Sequence, residues 1–308
     1  MILERTAKDT LTPVEMNMGD TLLFTKTDGS VVRLTLCDTG YTIISTDLRS
    51  LDQPENGWQK CLKTVYRFFC EIEAEETRYR LEREIPTLNS FYKPFSIAGL
   101  TVFFDAVSCT YKSDGGFLLE KDSAGDFFSK PNKHARFAIQ DAALEICPGR
   151  LHPWCPLPED GFHIENCYRG EDCWMGSYNG ILAHGGLDIN HPAGTPLFAP
   201  LDLDDQYYFN SLEMGDNNNR WLGIHRWENG PVWELRAYHM SALTVQEHTP
   251  VRQGEQFAIG AGVATGWHEH SHFAFKITEC GQSYFLDPWI LFWKMFRDRK
   301  LEQQSDKF

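Results

Sequence analysis

Two short stretches of this 308-residue chain carry residue types that could do chemistry together. Ala183-His184-Gly185-Gly186-Leu187-Asp188-Ile189 offers an imidazole and a carboxylate four residues apart, and His270-Ser271-His272 offers two more imidazoles downstream. Two histidines and a carboxylate supply neutral nitrogen and anionic oxygen donors. Proteins hold a catalytic zinc ion (Zn2+) with such a set while leaving one position open for water. The glycines between His184 and Asp188 let the backbone bend closely round an ion where bulkier residues would hinder it. No His-Glu-x-x-His occurs, so proton transfer must fall to another group than the glutamate of such a helix, and histidine can perform it near neutral pH. A lone His-x-His on a strand is more often structural than metal-binding, so neither stretch is decisive by itself.

The elements that must position these residues read as strands. In Glu269–Ile277 the two-residue period puts His270 and His272 on one face and Phe273, Phe275 and Ile277 on the other, so one face is core and the other a site. Val232–His239 runs as another strand, ending in Tyr238-His239, and brings a further imidazole from a third direction. Gln206–Phe209 and Trp221–Trp227 read as strands too, with turns at Gly215–Asn219 and at Glu228-Asn229-Gly230-Pro231, making a meander. Trp221, Trp227, Trp233 and Trp267 read as core more readily than as the lining of a substrate groove. Asp287 is an expected N-cap with Pro288 at the first helical position, opening an aromatic-rich helix to about Arg299.

Upstream, Thr21–Thr25 and Val31–Leu36 flank a Thr27-Asp28-Gly29-Ser30 turn as a hairpin. Residues 62–84 suit a long exposed strand and a short helix about equally. Thr101–Phe104 and Ala106-Val107 are strand centres, followed by a turn at Ser113–Gly116. Pro148, Gly149, Pro153, Pro156 and Pro158 then interrupt any periodicity. The expected organisation is a β-rich N-terminal domain over 1–150, a proline-rich linker over 151–172 and a second domain over 173–308. The fold class is mainly β: an antiparallel-sheet domain carrying the site, a separate β-rich N-terminal domain and a C-terminal helix. The first domain shows no catalytic motif, which leaves packing, binding or covering of the site as its role.

Composition narrows the partners. With 42% hydrophobic and 13% aromatic residues the chain has material for real cores. Its 29 basic and 43 acidic side chains leave a net charge of -14, which argues against nucleic acid or an anionic membrane surface as partner. No apolar run reaches the length of a membrane helix, and Met1-Ile2-Leu3-Glu4-Arg5 meets charge before a signal-peptide core could form. Nine cysteines, an odd number, outline no disulfide framework. Cys155, Cys167 and Cys173, with His152 and His163 nearby, lack any Cys-x-x-Cys pair and read as buried thiols or a disulfide rather than a second metal site. His191, His225, His248 and His268 are assigned structural places, and Asp204 and Asp205 solvated ones.

Together these residues resemble the lysostaphin/LytM-type zinc metallopeptidases. The family's H-x-G-x-D phrase and its following Gly-Thr-Pro turn are matched by His184-Gly185-Gly186-Leu187-Asp188 and Gly194-Thr195-Pro196. Its Tyr-x-His or Tyr-His strand end looks like Tyr238-His239-Met240-Ser241, its turn segment looks like Val251–Gly260, and its final His-x-His-Phe is His270-Ser271-His272-Phe273. All four occur in the family's order, within the second domain alone. The resemblance implies that His184, Asp188 and His272 are zinc ligands and that His239 and His270 are catalytic histidines outside the coordination shell. It implies a peptidoglycan endopeptidase-like hydrolase acting on peptide or cell-wall peptide substrates, outside the cytoplasm. The alternative is a non-catalytic relative kept for binding or regulation. The chain departs from the family pattern at Leu201–Gln206, which is acidic and lacks glycine, and at Trp267-His268-Glu269, where small residues are usual. Both departures, and the acidic balance, bear on substrate choice.

Overall fold

A computed structural model of the chain describes residues 1–50, 60–108, 130–178, 182–210, 219–228, 230–260, 263–264 and 269–305. The fold is mainly β, its sheets almost wholly antiparallel, and it closes on one C-terminal helix, Trp289–Ser305, as the alternation in the sequence predicts. The expected turns at Ser113–Gly116 and Gly215–Asn219, Asn229 of the Asn-Gly turn, and Trp267-His268 lie wholly or largely outside the described residues.

The chain divides into two compact units, Met1–Pro148 with Cys173–Gly185, and Gly149–Asp172 with Gly186–Phe308. The first holds a five-stranded sheet in the order Ile2–Thr6, Thr21–Thr25, Val31–Ser50, Lys60–Ala74, Thr77–Ile85. Its first pairing is parallel and the rest antiparallel. The stretch that suited strand and helix equally is an antiparallel hairpin. Tyr66, Phe68, Cys70, Ile72 and Ala74 are buried in strict alternation, the period of a pleated strand with one face on a core. Glu75 and Glu76 turn the chain with φ of 48° and 64°, a conformation that usually selects glycine or asparagine, so the turn was invisible in the sequence. A four-stranded sheet in the order Thr12–Met16, Ala135–Asp141, Leu100–Val107, Phe95–Ile97 completes this unit's described β-structure, apart from a short pair, Ser177–Tyr178 with Leu182–Ala183. Buried Arg136 donates to Asp105 at 2.6 Å and pairs with Glu15 at 3.5 Å, so its charge is compensated within that core.

The second unit is built on a sheet in the order Leu187–Asn190, Glu269–Glu279, Val232–Met240, Asn219–Arg226, Asp205–Phe209, with Val263–Ala264 and Gln282–Leu286 also pairing to Glu269–Glu279. Trp221, Trp233, Phe273, Phe275 and Ile277 are fully buried, so Trp221 and Trp233 are core residues and not groove lining. The helix opens as its sequence predicts, with Asp287 Oδ1 accepting from the Trp289 amide at 2.9 Å, but continues past Arg299 to Ser305.

The proline-rich stretch differs most from expectation. Instead of linking two domains, residues 149–172 pack within the second unit, and Cys173–Gly185 belong with the first. The indole of Trp154 lies 4.7 Å from the Phe273 ring and 6.1 Å from Phe292, and Phe162 meets Trp289, Phe292 and Phe296. Asp298 accepts from the Leu151 amide at 3.0 Å while paired with buried Lys294. The prolines forbid regular structure, yet the apolar side chains between them still pack on the sheet and helix.

Candidate metal centre

Strand register brings the sequence's chemistry together. Asp188 stands directly opposite His272, and Asn190 opposite His270. On the other side of the same strand His272 stands opposite Tyr238. A cross-strand row on one sheet face therefore reads Asp188, His272, Tyr238, with His270 two residues along. Oδ1 of Asp188 lies 2.7 Å from Nδ1 of His272, and its Oδ2 lies 3.6 Å from Nε2 of His270.

His184 precedes the first of these strands. Its backbone is held by hydrogen bonds in both directions, from the Met175 amide to its carbonyl and from its own amide to Gly176. The carbonyl of Cys173 lies 3.2 Å from His184 Nδ1. A carbonyl can only accept, so Nδ1 carries the proton and Nε2 keeps its lone pair, the outer hydrogen bond that commonly fixes the tautomer of a metal-binding histidine. His184, Asp188 and His272 are all buried, and each presents a ligating atom within 4.8 Å of the others. A Cβ added to Gly186 would meet the His272 ring at 2.3 Å and the Phe273 carbonyl at 2.5 Å. The second glycine of the motif is thus required by close approach of backbone to imidazole. Three buried donors of these kinds are a set that could hold a metal ion.

His239 enters from the end of Val232–Met240. Its ring lies 4.7 Å from that of His270 and 6.3 Å from that of His272, and its Nδ1 is buried with no hydrogen-bond partner among the described residues. Burial pushes this imidazole well below its usual range, with His270 adding to the shift, so it is neutral at pH 7.

Of the five residues expected from the sequence, Asp188, His239, His270 and His272 come together in the second unit, while His184 belongs to the Cys173–Gly185 segment of the first. Sequence reasoning missed the groups around them. Tyr168, in the stretch read as a linker, stacks on His270 with ring centroids 4.2 Å apart, and Tyr238 stacks on His272 at 5.0 Å. His191, expected to be structural, holds Ser271 Oγ at 2.8 Å between the two site histidines. Among the described residues no other His, Cys, Asp and Glu group is arranged to hold a metal. Burial pushes the Cys155 thiol up to about 12.

No family model and no curated protein matches the chain. Similar solved structures include the catalytic domain of the antimicrobial peptidase lysostaphin from Staphylococcus simulans, 20% identical over 44% of this chain and 86% of that one, with a TM-score of 0.29. Others are a zinc containing peptidase from Vibrio cholerae, 10% identical over 89% and 84% with a TM-score of 0.30, and a putative peptidase M23 from Pseudomonas aeruginosa, 12% identical over 85% and 92% with a TM-score of 0.28. Lysostaphin gives its name to the family that the motifs resemble. At such low scores none of these likenesses bears weight; the order of the motifs and the geometry of the site do. No helix among the described residues is long and apolar enough to cross a membrane.

Proposed function

We propose that this chain is a zinc-dependent endopeptidase in which His184, Asp188 and His272 hold the ion while His239 and His270 are the catalytic histidines. The supporting observation is the convergence of three buried donors, their ligating atoms within 4.8 Å of one another, on a sheet face that also carries two further histidines. Zinc bound there would supply Lewis acidity toward a substrate carbonyl and a water whose pKa falls to about 7.

The chain's own groups divide the remaining work. The Cys173 carbonyl orients His184, and strand pairing orients Asp188 against His272. His270, flanked by Asp188 and held flat by Tyr168, takes a proton from the attacking water. A carboxylate close by stabilises the imidazolium that forms. His239, neutral at working pH, offers an N–H to the developing oxyanion, which a neutral imidazole does without giving up its proton, and the imidazolium of His270 hands its proton to the departing amine. The substrates are peptides with small residues at the scissile bond, including cell-wall type peptides, and the expected place of action is outside the cytoplasm, as the motif resemblance implies.

Elemental analysis of the purified protein should find one zinc per chain, and a chelator should abolish cleavage of a glycine-rich fluorogenic peptide. A folded protein that takes up no zinc would sink the enzyme reading in favour of a non-catalytic relative.

A further inference from the structure

Tyr238 and His239 are adjacent in the chain, yet both serve the same face of the sheet. Tyr238 stacks on His272, and the His239 ring lies beside His270. Neighbouring residues of a regular strand point to opposite faces, so something must re-aim one of them. The ladder shows what does. Asn219 pairs with Met240 but Arg220 pairs with Tyr238, so the register slips by one residue between them and His239 is left over. His239 has a φ of 66°, in the left-handed region, where a non-glycine residue is uncommon and which the first residue of a glycine-type β-bulge occupies. The buried side chain of Asn219 donates from Nδ2 to the Met240 carbonyl at 2.9 Å, just beyond the extra residue.

We propose that Asn219 is a positioning residue for the reaction: its amide pins the bulge and so turns His239 onto the face that Tyr238 already occupies. The inference rests on the reading of His239 as a catalytic histidine. An imidazole held in an unfavourable backbone conformation relaxes unless neighbouring contacts over-determine it, and the Asn219 hydrogen bond is such a contact. With it gone, the lowest-energy strand is the regular one, in which His239 leaves the site while Tyr238 and the ligand row stay.

The test compares the full-length wild type with Asn219→Ala and Asn219→Asp, the latter isosteric but without the N–H donor. Histidine-selective NMR on the zinc-loaded protein reads the geometry through the cross-peaks between the rings of His239 and His270 and between Tyr238 and His272. Both variants should lose the first cross-peak and keep the second, with zinc per chain unchanged. Cleavage of a glycine-rich fluorogenic peptide should lose about 10²- to 10⁴-fold in kcat with KM within a few-fold, the size expected when a catalytic histidine leaves the site. Asn219→Gln, which restores a donor on a longer arm, should recover part of the loss. Retention of the His239–His270 cross-peak in Asn219→Ala would overturn the proposal, as would loss of both cross-peaks together, which marks a merely structural role. The cross-peaks do not depend on turnover, so a wild type that cleaves nothing would fail the peptidase reading while the NMR arm still decides the bulge.

Discussion

At the residue scale, ligands and catalytic histidines should separate experimentally. Asp188→Ala and His272→Ala each remove a donor from the converging trio, so zinc content should fall steeply in both. His239→Ala leaves all three donors in place and should keep its zinc while losing about 10²- to 10⁴-fold in kcat. Elemental analysis beside a peptide-cleavage assay reads both properties, and if His239→Ala lost its zinc as completely as His272→Ala, His239 would belong in the coordination shell. Gly186→Ala tests the backbone's close approach. The new methyl would sit 2.3 Å from the His272 ring, far inside contact distance, so either the ring or the strand must move. Weaker zinc binding than wild type by about 10-fold or more is expected in a chelator competition titration, the range for disturbing the groups that orient a ligand; unchanged affinity would show that the strand yields freely.

At the scale of elements, the proline-rich stretch and the long hairpin give opposite lessons about stability. Trp154 is fully buried between Phe273 and Phe292, and Trp154→Ala should destabilise the protein by about 3–5 kcal/mol, the usual cost of emptying such a site. Urea denaturation followed by circular dichroism checks this, and a change of less than about 1 kcal/mol would return the stretch to the status of a linker. The Glu75-Glu76 turn is the reverse case. Both residues have positive φ and no packing role, being exposed. Replacing the pair by Glu75→Asn and Glu76→Gly should therefore stabilise the hairpin by about 1 kcal/mol through relief of backbone strain. A denaturation midpoint that fell instead would mean that the two glutamates contribute something the turn geometry does not reveal.

At the scale of the whole molecule, an acidic chain with a buried cluster of imidazoles has a pH dependence of known sign. Burial holds the His191 imidazole down at about 4, against 6.5 for a free histidine, with the His270 charge adding to the shift. Between those values the unfolded chain binds more protons than the folded one, so the stability contributed by this group is present above about 6.5 and is lost as the pH falls toward 4. The denaturation midpoint of the metal-free protein should be lower at pH 5 than at pH 7, and His191→Gln should shrink that difference; an unchanged slope would remove His191 as its cause. Much of this molecule was legible in its amino-acid sequence because the signals are local. The two-residue period of residue types marks Glu269–Ile277 and the run of apolar and aromatic residues marks Val232–His239 as strands, Asp287-Pro288 opens the helix, and the five histidine and aspartate positions stand in motifs whose spacing survives without knowledge of the fold. What only the tertiary structure decided depends on which distant segment arrives where. Trp154 and Phe162 sit among prolines that erase any period, and their burial is set by the sheet and helix they meet. Tyr168 becomes part of the site because its stretch packs against the strand of His270. The slip at His239 arises between two strands, in the ladder with Asn219 and Arg220, and no property of Tyr238-His239 taken alone distinguishes a regular strand end from a bulge.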